Sequence, residues 1–328
     1  MKNKKNLIFI VLIFLCLLLT IAAVITFAYS QKGKERTNQE TAKDTSQEEN
    51  TISYQGETYR LNQNIQTILF LGIDKEAMAD MDGNPGENGQ SDSINLLVAD
   101  VENKMGQFLQ ISRDTLTDID IYSIQGEFLT SETGQIALQY AYGDGKEKSC
   151  YMTAEKVSDL LYGTEVRNFF ALTMEGITAA ADALGGIPVT VPKDYTAIDP
   201  AFCQGAEITL TGELAEKYVR AREVSALDSN ADRMERQAQF MQALIKKIGD
   251  MHTDDSQTLS LYKKLHPYMV TNMTADRLRE MSEYDISEEI LSLPGQVREG
   301  ADGYAEFIPD EEKTRAQVIE LFYEKVGK

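Results

Sequence analysis

Two aspartates and four arginines of this chain occupy positions suited to binding a phosphorylated ligand. Asp74 and Asp92 each abut a strongly apolar run, and Arg113, Arg220, Arg222 and Arg233 stand at the ends of other elements. Carboxylates at strand ends suit a hard cation such as Mg2+. Guanidinium forks match the oxygens of phosphate groups. Between Asp74 and Asp92 lies a Gly/Asp/Glu-rich loop with Glu76, Asp80, Asp82 and Glu87, whose middle acids read as a solvated surface. Arg113 follows a strand in Ser112-Arg113-Asp114-Thr115, at the carboxyl end where α/β folds bind ligands. A structural Arg113–Asp114 pair is the alternative reading there.

Arg220 and Arg222 lie at i and i+2, on one side of an extended segment. They repel unless an anion separates them or Glu223 and Asp228 flank them. The segment Asp232–Gln237 opens a long helix, and a helix N-terminus favours anions through its N–H groups and dipole. Arg233 and Gln237, four residues apart, share a face. Asp232 and Arg236 have the same spacing and read as a structural pair.

The elements that must position these residues follow from the apolar pattern. Thr67–Ile73 is a continuous apolar run, predicted to be a buried strand ending at Asp74. Further strands are predicted at 93–99, 107–112, 169–172 and 189–191, with a possible short strand near 58–61. Helical periodicity marks 153–162, then 174–184 closed by Gly185-Gly186. Helices follow at 212–219 with Thr211 as cap, 232–248, 257–265, 274–282 and 310–326. Alternating strands and helices over about 260 residues predict a single α/β domain with a central mixed β-sheet flanked by helices.

Lys2, Lys4 and Lys5 precede an uncharged stretch from Leu7 to Tyr29, close to the roughly 20 apolar residues that span a bilayer. Positive charge before it places the N-terminus in the cytoplasm and the remainder outside; a cleaved signal peptide is the alternative. Residues 1–6 are then a cytoplasmic tail, 7–29 a transmembrane anchor, 30–65 an extracellular linker and 66–328 the folded domain. The formal net charge of −20 argues against nucleic acid as a partner. With only His252 and His266, neither near a Cys/Asp cluster, a His-based zinc site or a Ser-His-Asp triad is not expected. Cys150 and Cys203, both outside the apolar segment, leave pairing or two free thiols equally open.

Taken in order, LFLGID at 69–74, SDS at 91–93, QISRDT at 110–115, QYAYGDG at 139–145, ALGGIPVTVP at 183–192, LTGELAEKYVRAR at 210–222 and DRMERQ at 232–237 resemble the LytR-CpsA-Psr family. The resemblance covers about Gln66 to Lys328. It implies a phosphotransferase that moves a glycopolymer, such as a teichoic acid or capsular polysaccharide, from a polyprenyl-pyrophosphate carrier to peptidoglycan. It also implies an apolar tunnel for the lipid tail. By motif position it makes Asp92 and Asp74 the Mg2+ and pocket carboxylates. Arg113, Arg220, Arg222 and Arg233 become pyrophosphate ligands, supported by Gln237. The chain departs from the family pattern at Glu76, Gln90 and Gln135, where cations are usual, and at Asn230, where Asp is usual. Each lost cation implies weaker pyrophosphate binding by roughly 1.5–3 kcal/mol. A relative that binds carrier or wall polymer without turnover, and an envelope regulatory module, are the alternative expectations.

Overall fold

The computed structural model describes residues 51–327 apart from 77, 79–83, 222–228 and 250–254. The expected anchor, and residues 30–50 of the expected linker, lie outside the described residues. Among those described, no helix is long and apolar enough to cross a membrane.

The main unit, residues 62–322, is built on a six-stranded mixed sheet. Its strands are β3 (Ile65–Ile73), β4 (Ser91–Asp100), β5 (Met105–Ile111), β8 (Asn168–Thr173), β11 (Met269–Thr271) and β12 (Asp285–Ser292), in the order β11-β8-β3-β4-β5-β12. β3 pairs antiparallel to β4 and parallel to β8, and β12 runs parallel to β5. The apolar run predicted from sequence forms β3 because both sheet faces are covered, so alternating residues find a core on either side. On one face Phe70 packs between Phe108 and Phe170, with ring centroids 5.9 and 6.0 Å apart. Helices α2 (Met174–Ala183), α4 (Ser229–Gly249), α5 (Asp255–Leu265) and α6 (Ala275–Ser282) join that core. On the other face, α1 (Glu147–Leu160) sets Tyr151 edge-on to Phe169 at 5.0 Å.

The helix ends explain the placement of the next elements. Thr173 caps α2, its hydroxyl accepting from Gly176 N at 3.4 Å. Gly185 and Gly186 close α2 with φ of 71° and 98°, and a Cβ on Gly186 would stand 2.3 Å from Thr209. This close approach brings β9 (Ile187–Thr190) against β10 (Glu207–Leu210) and leads into α3 (Gly212–Arg220). Thr211 precedes α3 as expected, but its hydroxyl is not the cap; Asp182 Oδ1 accepts from Gly212 N at 2.7 Å instead.

Two hairpins that apolar periodicity did not predict are β6–β7 (Leu116–Tyr122 and Phe128–Gln135) and β13–β14 (Gly295–Glu299 and Ala305–Pro309). Helix α7 (Glu311–Phe322) stops four residues before the predicted end. The residues that follow it form β15 (Tyr323–Lys325). In the second unit, β15 pairs with β2 (Glu57–Leu61), which forms a hairpin with β1 (Thr51–Tyr54). A strand therefore occupies 58–61, within the stretch read as linker. Cys150 is buried and Cys203 exposed, and neither is in a disulfide.

Candidate anion-binding site

The carboxyl ends of β3, β5 and β8 and the start of β4 meet at one edge of the sheet. Asp92 stands there as the second residue of β4, and Arg113 leaves the end of β5 toward it. An Arg113 Nη1–Asp92 Oδ1 ion pair joins them, and Arg113 Nη2 donates to Gln90 Oε1 at 3.1 Å. Arg113 Nε lies 3.5 Å from Asp114 Oδ1. The N-terminal part of α4 brings Arg233, whose Nη1 is 3.9 Å from Asp92 Oδ2. Two guanidiniums from distant stretches of chain thus converge on one carboxylate. The structural Arg113–Asp114 contact is also present, so the two readings of Arg113 coexist.

Asn230 explains how Arg233 is held. Its Nδ2 donates to Asp114 Oδ2 at 2.7 Å while its Oδ1 accepts from Arg233 Nη2 at 2.7 Å. The amide bridges a carboxylate and a cation. An aspartate here would set one carboxylate against another, so the Asn/Asp114 combination is self-consistent. Below this bridge, buried Gln110 donates to Met234 O at 2.5 Å and to Asn95 Oδ1 at 3.3 Å. That pins β5 and β4 to the second turn of α4. Asn95 between Ile94 and Leu96, and Gln110 between Leu109 and Ile111, are amides set among buried apolar neighbours and are the sequence signal for this network.

Burial raises the Asp92 carboxyl above its ordinary value. Asp74 and Asp114 push the same way, and together they outweigh the opposing fields of Arg113 and Arg233. Asp74 itself is exposed at the end of β3, with its N–H on Gln90 O at 2.9 Å. Its field acts on both Asp92 and Arg220.

Arg220 is the last residue of α3, not part of an extended segment as expected; it pairs with Glu216, one turn earlier, at 2.8 Å and stands 3.6 Å from Glu76. It is half-exposed, and these two acids oppose its use as an anion ligand. Arg222 lies outside the described residues, so the expected Arg220/Arg222 pairing does too. Gln135 is turned away from the cluster, donating to Ala305 O at 2.8 Å. Gln237 donates to Val219 O at 3.1 Å, and its buried Oε1 has no partner among the described residues.

The expected Asp232–Arg236 pair does not form. Asp232 binds Lys193 at 2.8 Å. Arg236, only 1 % exposed, donates to the carbonyls of Tyr218 and Ala221 at the end of α3. Its guanidinium lies 4.4 Å from the Tyr195 ring centroid and 5.9 Å from that of Tyr218. A cation at a helix C-terminus satisfies carbonyls that have no partner within the helix. The helix-end acceptors, eighteen and fifteen positions away in sequence, win over the neighbouring acid.

Beneath the sheet edge lies an apolar cavity walled by Phe70 and Phe170, by Met241, Leu244 and Ile248 of α4, and by Leu265 of α5. It begins about 12 Å along α4 from Arg233, eight residues at 1.5 Å each. Its free volume is about 50 Å³.

The chain is thus a mixed α/β domain that gathers two guanidiniums on a half-buried carboxylate where strand ends meet, with an apolar cavity on one face of the sheet. The chain belongs to the LytR_cpsA_psr family, whose model matches residues 24–321. It is 28% identical over 255 residues to a Bacillus mycoides protein described as polyisoprenyl-teichoic acid–peptidoglycan teichoic acid transferase TagU, covering 75% of each chain. The crystal structure of Bacillus subtilis TagV is 25% identical, with a TM-score of 0.59 over 80% of this chain and 98% of that one. A structure titled TagT bound to LI-WTA shares the fold at 22% identity, with a TM-score of 0.59 over 79% of this chain and 90% of that one.

Proposed function

We propose that this chain is a Mg2+-dependent phosphotransferase that moves an anionic glycopolymer of the teichoic acid or capsular polysaccharide type from a polyprenyl-pyrophosphate carrier to peptidoglycan. The observation that carries the reading is the convergence of Arg113 and Arg233 on Asp92 at the sheet edge, above an apolar interior. The names of the TagU relatives support the substrate class. Phosphoryl transfer needs positioning and charge neutralisation more than covalent help from the protein. An acceptor hydroxyl oxygen forms a bond to the polymer-bearing phosphorus, the bridging P–O bond breaks, and polyprenyl phosphate leaves, taking up the hydroxyl proton. Arg113 and Arg233 hold the pyrophosphate oxygens, and Gln237 supports them from the next turn of α4. Arg220 reaches the outer oxygens once Glu76 and Glu216 are displaced, and Arg222 is assigned to the same ligand by its motif position. Residues 7–29 anchor the domain at the outer membrane surface, which raises its effective concentration near a lipid-linked donor.

The donor set fits Mg2+ in a limited way. Among the described residues no group of three or more His, Cys, Asp or Glu side chains could hold a metal. Mg2+ is often bound by one or two carboxylates together with substrate phosphates and water, and Asp92 with Asp74 supplies that number. Bound there, the ion would neutralise charge on the pyrophosphate leaving group. With a pyrophosphate analogue present, Mg2+ at one hundred times its Kd is expected to add about 2.7 kcal/mol to the unfolding free energy. Asp92→Asn is expected to remove that gain, as read by thermal unfolding. An equal gain in the variant sinks the metal role of Asp92.

The transferase reading is tested by turnover of a polyprenyl-pyrophosphate analogue by the protein with and without Mg2+. A second reading, binding of carrier without turnover, draws on Glu76, which sets a carboxylate against Arg220 where the family usually has a cation. Gln90→Arg separates the two. A third guanidinium beside Arg113 is expected to tighten inorganic pyrophosphate binding about tenfold, at the low end of a charge-assisted hydrogen bond, and to raise turnover. Tighter binding with no turnover in either protein selects the binding role.

A further inference from the structure

The apolar cavity is lined by α4 and also by α5 and the first residue of β11. Tyr262 and Met269 line it, and both also line a second, larger cleft of about 570 Å³. That cleft lies at β11, the outermost strand of the sheet. It is walled by Met78, Pro267 and Val270, and rimmed by Asp144, Lys146, Glu147 and His266. Met269 begins β11 opposite Leu172, near the end of β8, so this lining residue lies at the same end of the strands as Asp92. From β4 to β11 is three strand spacings, about 14 Å.

The volumes show what this adjacency means. A void of about 50 Å³ compares with about 30 Å³ for one water in the liquid. No long hydrocarbon fits while the walls stand as they are. Three of the wall residues are Met241, Met269 and Met281, whose unbranched thioethers re-pack readily. Tyr262 is half-buried, on a helix end, with its ring 6.5 Å from the exposed His266 ring. It can turn outward without opening the sheet. The partition is therefore the compliant part of the cavity wall.

Building on the carrier reading above, we infer that Tyr262 and Met269 form a movable partition, and that the distal part of a long isoprenoid chain passes it into the cleft beside β11. The phosphate end stays at Asp92, Arg113 and Arg233. The first isoprene units lie over Phe70 and Phe170. A short prenyl chain ends inside the cavity once Met241 and Met281 re-pack around it, whereas a long one emerges past Tyr262 against Pro267 and Val270.

The test uses the full-length chain in detergent micelles with His266→p-benzoylphenylalanine, a photo-crosslinker on the cleft rim. Geranyl phosphate and undecaprenyl phosphate are added separately, and retention of each is measured before illumination. Both are expected to be retained, but only undecaprenyl phosphate becomes covalently attached at position 266 by mass spectrometry. Tyr262→Ala is expected to speed uptake of undecaprenyl phosphate severalfold and leave geranyl phosphate uptake unchanged. Retention of undecaprenyl phosphate without attachment at 266, or an equal response of both lipids to Tyr262→Ala, overturns the partition and leaves the carrier reading standing. Retention of neither lipid overturns both.

Discussion

Replacing Arg113 by Ala is expected to lower turnover of a polyprenyl-pyrophosphate analogue by about 10²–10³-fold, the cost of losing one preorganised transition-state donor. Arg113 is the centre of the cluster, since it touches Asp92, Gln90 and Asp114 at once. Its loss removes a cation from the pyrophosphate and frees Asp92 to turn away from the site. It also leaves a half-buried carboxylate with Arg233, at 3.9 Å, as its one remaining ion-pair partner among the described residues. The side chain of Arg113 is itself partly exposed, so the fold is expected to survive, with circular dichroism unchanged. Arg113→Lys keeps the charge but loses the fork that serves two acceptors together, and intermediate turnover is expected. Turnover in Arg113→Ala within threefold of the parent protein would remove Arg113 from the machinery.

The largest stability effect is expected at Arg236. Arg236→Met keeps most of the aliphatic volume but strips the end of α3 of its donor. The carbonyls of Tyr218 and Ala221 are left without it, and each buried acceptor without a partner costs about 1–3 kcal/mol. The stacking on Tyr195 and Tyr218 is lost as well. A loss of about 3 kcal/mol in urea unfolding is expected, with an unchanged m-value showing that the unfolded state is not the cause. Arg236→Lys offers a point charge to one carbonyl and is expected to lose roughly half as much. A change under about 1 kcal/mol in the Met variant means that water takes over both carbonyls.

The elements around the site were legible where a pattern is local. The apolar run of β3, the strands that carry Asp92 and Arg113, and the Gly185-Gly186 stop after α2 all stand out in sequence. So did Arg233 at the opening of α4. What stayed hidden depends on partners distant in the chain. β12 alternates weakly and carries Glu288 and Glu289, because one side of this edge strand meets solvent. α7 was predicted too long because the partner of Tyr323–Lys325 is β2, more than two hundred residues earlier. Gln90 and Asn230 read as missing charges. In three dimensions Gln90 accepts from Arg113, and Asn230 links Asp114 to Arg233. Residue type alone could not distinguish a lost ligand from an altered one.

The hairpin at the start of the described chain has a mechanical side. Thr51 pairs with Arg60, and the turn at Gln55-Gly56 lies at the far end of the ladder. Tension arriving from before Thr51 therefore bears on one rung at a time, as in a zipper, and not on all rungs in shear. β2 is clasped on its other side by β15, so the peeled strand is β1 alone. Opening it frees the six residues from Thr51 to Gly56, roughly 20 Å of extra reach when extended, before any load reaches the β2–β15 ladder.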